Sequence, residues 1–190
     1  MKYNLLLFLV IPVISFAQTP ECKISEADWK FYFAMDFQTF DQTLGKGWRA
    51  LSDNCPIEAA IVIDQYRSHH SKTLDQKQKR ILLWHAGQEY AVGGIEKLAL
   101  IRFRYSSNPD EPAEAHFKWN SYVAASIAFL QKDFERLKLE RNKMAKYPKA
   151  NGVNLTIVNN MVKCPDSPYK FVISGVPLIE CMNERLGDNN

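Results

Sequence analysis

Residues 81–106 read ILLWHAGQEYAVGGIEKLALIRFRYS, and this stretch decides the fold class. Side chains that are small or apolar, with the exception of Arg102, recur at helical spacing on both sides of a glycine pair: Leu83, Ala86, Gly87 and Tyr90 before it, and Ile95, Leu98, Ala99, Arg102 and Phe103 after it. Because adjacent glycines end a helix and let the chain reverse, the pattern predicts two antiparallel helices over 74–92 and 95–105. Such a hairpin cannot bury its apolar faces alone, so we expect neighbouring hairpins of the same kind.

The segment after this hairpin supplies one such neighbour. Residues at 0, 3, 4, 7, 8 and 11 form the apolar stripe of a helix over 117–131: Trp119, Tyr122, Val123, Ser126, Ile127 and Leu130. Lys132-Asp133 interrupts the pattern, a return helix is predicted over 134–147 before Pro148, and another over 154–163. A loop is predicted over 106–114. No strand ladder is indicated, although residues 169–173 could form one short strand.

The segment before the hairpin is also predicted to be helical. Ser25 followed by Asp28 is typical of a capping box at the start of a short helix. Apolar residues at intervals of three or four predict a helix over 37–51, weakened by Gly45 and Gly47. Pro56 suits the first turn of a helix that we expect to run to about Tyr66, followed by a polar loop over 67–73.

The pattern of a turn, an apolar residue and a glutamate recurs along the chain. Gly93-Gly94-Ile95-Glu96 matches Lys132-Asp133-Phe134-Glu135 at an offset of 39, and Cys55-Pro56-Ile57-Glu58 at an offset of 38. A glutamate in the first turn of a helix is stabilised by the positive end of the helix dipole. The repetition predicts an all-α fold of about three antiparallel helical hairpins.

The central hairpin resembles a tetratricopeptide repeat. The residues that match the family pattern are Leu83, Ala86-Gly87, Tyr90, Ala99, Phe103 and, approximately, Pro112. Leu83 stands where the family has tryptophan, and the period is 38 to 39 rather than 34, so regular superhelical stacking is in doubt. The sequence WHAGQ over 84–88, followed by the helix pattern WN-x-Y-V-x-A-x-I-A-F-L over 119–130, is also similar to that of small exported helical-repeat proteins of bacteria with no assigned activity. The resemblance implies a tetratricopeptide-like α-solenoid and implies no chemistry.

The first residues are typical of an export signal. Lys2 precedes an apolar run over 5–16, and Ser15-Phe16-Ala17 fits the small-x-small cleavage rule. We therefore predict a signal peptide over 1–17, a single helical-repeat domain over 18–190, and a periplasmic or secreted location. About twelve apolar residues fall short of the roughly 20 that span a bilayer, and no later stretch is long and apolar enough, so no span is expected after signal cleavage.

Four cysteines follow the predicted signal: Cys22, Cys55, Cys164 and Cys181. An even count in an exported chain predicts two disulfides, with three possible connectivities. We favour Cys22 with Cys55 and Cys164 with Cys181, each tying a terminal segment to the nearest helical unit; spacing alone leaves crossed pairing open. No pair has C-x-x-C spacing, which argues against a redox site or a four-thiolate zinc site.

Several classes of chemistry are disfavoured. Without Lys2 the chain carries 23 Lys and Arg against 21 Asp and Glu, too balanced for a nucleic-acid binder. His85 and Glu89 share a helix face and could bind a metal with His116, but no second histidine is spaced for it. There is no G-x-S-x-G and no phosphate loop, so we predict no cofactor, no metal and no catalytic residue.

The remaining expectation is a binding surface. Inner helices of repeat hairpins line a concave face, which suits a protein or peptide partner of unknown identity. The candidate groove residues are Trp84, His85, Gln88, Glu89, Trp119, Asn120 and Tyr122. Trp84 lies off the apolar stripe, so we expect it to pack on the preceding unit or to be exposed. The alternative is a small helical hydrolase acting on cell-envelope polymer, with a carboxylate such as Asp41, Glu58 or Glu89, or the His85–Glu89 pair, at its centre.

Overall fold

The computed structural model describes residues 22–181, which are helical without any strand. The predicted signal peptide lies outside the described residues. The α-helices are α1 Glu26–Phe33, α2 Pro56–His69, α3 Gln76–Val92, α4 Glu96–Ser106, α5 Trp119–Leu130, α6 Phe134–Ala145, α7 Pro148–Lys163 and α8 Tyr169–Val172. A π-helical turn, Gln38–Gln42, and a 3₁₀ turn, Gly47–Ala50, lie between α1 and α2. The all-helical fold class is therefore confirmed.

Two of the three predicted antiparallel hairpins form, α3 with α4 and α5 with α6, whereas α2 pairs with α3 because no helix forms over 37–51. Each helix from α2 to α7 packs on the next one along the chain. The turn between α3 and α4 contains Gly94 at φ +76°, and the turn between α5 and α6 contains Lys132 at φ +57°. The Lys132 ammonium lies 5.2 Å from the Phe129 ring centroid and donates to the carbonyl of Pro165 at 2.9 Å. These contacts offset the conformational cost of a left-handed lysine.

A half-buried ion pair joins three of the helices. The guanidinium of Arg102 on α4 donates to both carboxylate oxygens of Asp64 on α2, at 2.8 to 2.9 Å. The Tyr90 hydroxyl of α3 donates to the same carboxylate at 3.1 Å. Because the two-pronged geometry fixes direction as well as distance, Asp64 sets how α2, α3 and α4 lie against one another.

Three local predictions are wrong. Residues 37–51 form no continuous helix: Gly45 and Gly47 have positive φ, and Leu44 is 84% exposed. Helix α2 continues to His69, into the predicted loop, since His70 Nε2 donates to the Phe33 carbonyl at 3.0 Å and the residue stays packed. Residues 169–172 form helix α8 rather than a strand, because Tyr169 and Val172, three residues apart, are both buried on one helical turn.

Both predicted disulfides are confirmed. Cys22 is bonded to Cys55, and Cys164 to Cys181. The first ties the segment before α1 to the start of α2. The second closes a loop that contains α8, which packs against both α3 and α7. The C-terminal segment is thereby held against the hairpins, and its residues Tyr169 and Val172 belong to the same hydrophobic core as those of α2 to α7.

Candidate functional site

The structure separates the predicted groove residues into buried and accessible ones. Trp84, Glu89 and Tyr122 are between 2% and 5% exposed. His85, Gln88, Trp119 and Asn120 are partly exposed. The expectation that Trp84 packs on the preceding unit or is exposed is wrong. Its ring contacts Phe103, Trp119 and Tyr122, with ring centroids 4.5 to 5.2 Å apart, so it packs on the following helices.

Helix α8 covers the face that the buried groove residues were expected to present. Tyr169 lies within 6.0 Å of the Phe103 ring and 6.1 Å of the Phe129 ring, measured between centroids. Its hydroxyl is close enough to the Glu89 carboxylate for that charge to raise the pKa of Tyr169, after the larger effect of burial. Glu89 and Tyr122 are therefore buried beside Tyr169 of α8 and are not accessible to a partner in this structure.

A buried polar cluster joins α3 to the irregular segment before α2. The Asp41 carboxylate is fully buried and accepts bonds from His85 Nδ1 at 2.7 Å, Trp48 Nε1 at 2.9 Å, and the Gln42 amide. Burial alone raises the pKa of Asp41, but the bond and charge of His85, with the bonds from Trp48 and Gln42, outweigh it and lower that pKa below its usual value. Asp41 is therefore held as a buried anion.

Glu89 lies one helical turn after His85, and its pKa is shifted in the opposite direction from that of Asp41. Ser52 donates to its Oε1 at 2.8 Å, and its Oε2 has no hydrogen-bond partner within residues 22–181. Burial raises the pKa of Glu89 to about 7, against smaller opposing effects of Ser52 and Arg49. The serine bonds to Glu89 and not to His85, so these residues do not form a Ser-His-Asp triad. A hydrolytic reaction at Glu89 would also need the overlying segment to open.

Replacing Glu89 with glutamine should remove a pH dependence of stability. The unfolded carboxyl titrates near 4.5 and the folded one near 7, so the folded state binds the extra proton between these values. The free energy of unfolding should therefore fall by about 3 kcal/mol as the pH rises from 4.5 to 7, and Glu89→Gln should lack this decrease. Urea unfolding of both proteins between pH 4.5 and 8 measures it.

The exposed Glu114→Gln substitution is the matched control, because it removes one carboxylate from a loop without removing a buried one. Its stability should follow that of the unsubstituted protein at every pH. If the free energy of unfolding of Glu89→Gln also stays within about 0.5 kcal/mol of that of the unsubstituted protein at every pH, Glu89 does not titrate as the structure indicates.

The residues considered above as a metal site, for which no metal was predicted, do not converge. His85 is bonded to Asp41, and His116 stacks on Tyr147 with ring centroids 4.4 Å apart. Within the described part of the chain, the one group with closely spaced ligand atoms comprises Cys22, Cys55 and Glu58. Since both cysteines are in a disulfide, neither offers a thiolate to a metal.

An open groove of about 520 Å³ lies between the first half of α3 and the loop over 107–118. Its lining residues are Lys77, Arg80, Ile81, Asn108, Glu111, Pro112, Ala115, Phe117 and Trp119. Phe117 is 47% exposed and stacks on Trp119, at 6.5 Å between ring centroids, and Trp119 in turn contacts the buried Trp84. The groove floor is thus aromatic and continuous with the core. We call this site the α3–loop groove.

Hydrogen bonds fix the loop that forms one wall of this groove. Asn108 and Asn120 exchange two bonds of 2.7 Å between side chain and backbone, and Glu111 accepts from the backbone N–H of Asn120 at 2.7 Å. At the other end, the Asn151 side chain bonds to the carbonyl of His116 at 3.0 Å and to the N–H of Lys118 at 2.9 Å. A loop of this length held at both ends is typical of a functional loop.

Among the predicted groove residues, Trp119 lines this groove and Asn120 supports its wall. The sequence analysis missed Phe117, Ile81, Lys77 and Arg80. The available signal was the Pro- and acid-rich composition of the loop beside an exposed aromatic pair, Phe117 and Trp119.

Within residues 22–181, no helix has the length and apolar character that crossing a membrane requires. Comparison with protein-family models, with curated proteins and with solved structures finds no match to this chain.

Proposed function

We propose that this chain is an exported, non-catalytic helical module that binds a peptide segment of a partner protein in the α3–loop groove. The observation that carries the proposal is the groove itself, an apolar aromatic floor between a rigid helix and a loop held at both ends. Its volume of about 520 Å³ lies within the range of roughly 300 to 1,000 Å³ that ligand sites occupy. It has room for one large side chain and the backbone around it.

The charged residues at the rim of the α3–loop groove indicate which kind of peptide it would bind. Lys77 and Arg80 project from successive turns of α3 and make no ion pair within residues 22–181. The one acid in the lining, Glu111, is engaged by the Asn120 backbone N–H. We therefore propose a peptide with an aromatic or large aliphatic residue against Phe117 and Trp119, flanked by acidic residues that pair with the two cations.

The disulfides support the proposed location. Two disulfides and no free cysteine in the described chain are typical of proteins that fold in an oxidising compartment. Together with the signal-like first residues, they favour a periplasmic or secreted protein.

Selection of random twelve-residue peptides displayed on phage against the purified protein tests the proposal. We expect enriched peptides to share an apolar anchor next to aspartate or glutamate. For a synthetic fluorescent copy of such a peptide, Phe117→Ala should weaken binding at least tenfold in an anisotropy titration, because truncating a central aromatic contact commonly has this effect. Arg80→Glu should weaken binding of the acidic peptide by a similar factor.

Tyr105→Ala is the matched control, since Tyr105 is an exposed aromatic residue on α4, 71% exposed and outside the groove. It should change affinity less than twofold, and circular dichroism should show that all variants are folded. The proposal is wrong if selection yields no peptide whose binding depends on Phe117, or if Tyr105→Ala weakens it equally.

A further inference from the structure

Charge is unevenly distributed along the chain. Residues 132–163, which include α6 and α7, contain eight Lys and Arg against three Asp and Glu, a net charge of +5. The rest of the chain has 16 basic and 18 acidic residues, a net charge of −2. The near-neutral total of +3 therefore conceals a cationic pair of helices beside a slightly acidic remainder.

The three acids of this segment are already engaged. Asp133 caps α6 by accepting from the Arg136 N–H at 3.0 Å. Glu140 is 1% exposed and pairs with Arg136 and Lys143. Glu135 pairs with Lys138 at 3.1 Å on the exposed surface, where such a pair contributes little. None of these carboxylates lines the groove between the two helices.

That groove encloses about 370 Å³ between α6 and α7. Its lining residues are Lys138, Arg141, Asn142, Asn159, Val162 and Lys163. We call it the α6–α7 groove. It shares no residue with the α3–loop groove.

Arg141 is oriented at the centre of this groove. Its Nε donates to Asn159 Oδ1 at 2.8 Å across the helix pair, and its Nη1 donates to Asn142 Oδ1 at 3.2 Å. These bonds hold the guanidinium plane and leave Nη2 without a partner among the described residues. Because both asparagines turn an amide oxygen toward the guanidinium, their amide NH₂ groups remain able to donate to a ligand.

A second lysine closes the groove on the side of the C-terminal segment. Lys163 Nζ donates to the carbonyls of Leu178 and Ile179 at 2.7 and 2.9 Å, which places its ammonium beside the disulfide-tied segment. The charged groups that line the groove are then all cations: the Arg141 guanidinium and the ammonium groups of Lys138, which also pairs with Glu135 outside the lining, and of Lys163. A site with several donors, a net positive charge and no carboxylate matches a tetrahedral oxyanion.

We infer that the α6–α7 groove binds a phosphate group, with the planar Arg141 guanidinium as its principal donor. Two sources carry this chemistry, free phosphate and the phosphodiester of an anionic lipid headgroup. Both would be recognised by the same donors, and they are separated by the choice of probe.

Binding of two probes to the whole protein tests the inference. The first is inorganic phosphate, followed by NMR chemical shifts of the Arg141 and asparagine side chains. The second is vesicles of phosphatidylglycerol, compared with vesicles of phosphatidylcholine. We expect saturable binding of at least one phosphate probe, and Arg141→Gln should weaken it at least tenfold. Lys146→Gln, which removes one charge from the end of α6 outside the groove, should change it less than twofold.

Each outcome is decisive. Phosphate binding without vesicle binding identifies a soluble ligand, and binding of phosphatidylglycerol but not phosphatidylcholine vesicles identifies a lipid headgroup. Binding of neither probe overturns the inference, as does equal weakening by Arg141→Gln and Lys146→Gln, which would show diffuse attraction to a basic surface. If Arg141→Gln does not fold, Asn159→Ala removes the residue that positions the guanidinium and should weaken binding severalfold.

Discussion

Replacing Gly47 with alanine should destabilise the protein by roughly 4 kcal/mol or more, the size of effect seen when backbone strain and overlap coincide. Gly47 has φ +50°, and an added Cβ would overlap the carbonyl oxygen of Phe40 and lie 2.7 Å from its carbonyl carbon. Both obstacles are backbone atoms of a fully buried residue, which cannot rotate away. The free energy of unfolding in urea measures the loss.

Gly45→Ala separates the two causes of this loss. Gly45 has φ +68°, but nothing lies within 4 Å of the position its Cβ would take. It should therefore show only the cost of a left-handed alanine, about 1 to 2 kcal/mol. Equal destabilisation by the two substitutions would show that the close approach of Gly47 to Phe40 does not contribute.

The second large effect is expected for Asp41→Ala, which should cost about 3 to 5 kcal/mol, as removal of one partner from a buried charged pair does. The substitution leaves the indole N–H of the buried Trp48 and the Nδ1 of His85 without the fully buried carboxylate that accepts from them. Urea unfolding measures the cost, and the NMR signal of the Trp48 indole proton reports whether its bond is lost.

Asp36→Ala is the control for this substitution. Asp36 is an exposed carboxylate of the same segment, and it accepts from the N–H and hydroxyl of Thr39 at 2.9 and 2.8 Å. Losing this exposed cap should cost about 1 kcal/mol. If Asp41→Ala costs no more than Asp36→Ala, the buried cluster does not hold the segment over 38–52 against α3.

The hairpins could be predicted from the sequence because their signals are local. Gly93-Gly94, the spacing of apolar residues in α5, and Pro56 each determine a neighbouring turn or helix end without help from distant residues. The disulfide pairing followed for the same reason, since each bond joins a terminal segment to the nearest helical unit.

The segment over 38–52 was mispredicted because its conformation depends on long-range contacts. Its apolar spacing is that of a helix, but Asp41 bonds to His85, 44 residues away, and Ser52 to Glu89, 37 residues away. A buried carboxylate with partners on another helix overrides local propensity. The spacing of residues within the segment carries no information about such distant partners.

The candidate site was predicted in part. The loop over 106–114 was predicted from its prolines and acids, and Trp119 was named as a contact residue. The groove itself depends on Asn151 of α7 holding the loop and on Ile81 and Phe117 lining the same groove. Neither relation can be read from the spacing of residues in the sequence. The burial of Glu89 and Tyr122 depends likewise on Tyr169, about 80 and 47 residues further along the chain.

The position of α8 after the hairpins in the sequence sets the order in which the core can be completed. Helices α2 to α7 can pair as neighbours as soon as each is available, because most of their contacts are between consecutive elements. Tyr169 reaches Phe103 and Phe129, and α8 reaches α3, only after all the preceding helices have been delivered. Formation of the Cys164–Cys181 bond then closes the loop that contains α8, so oxidation should stabilise this docking step.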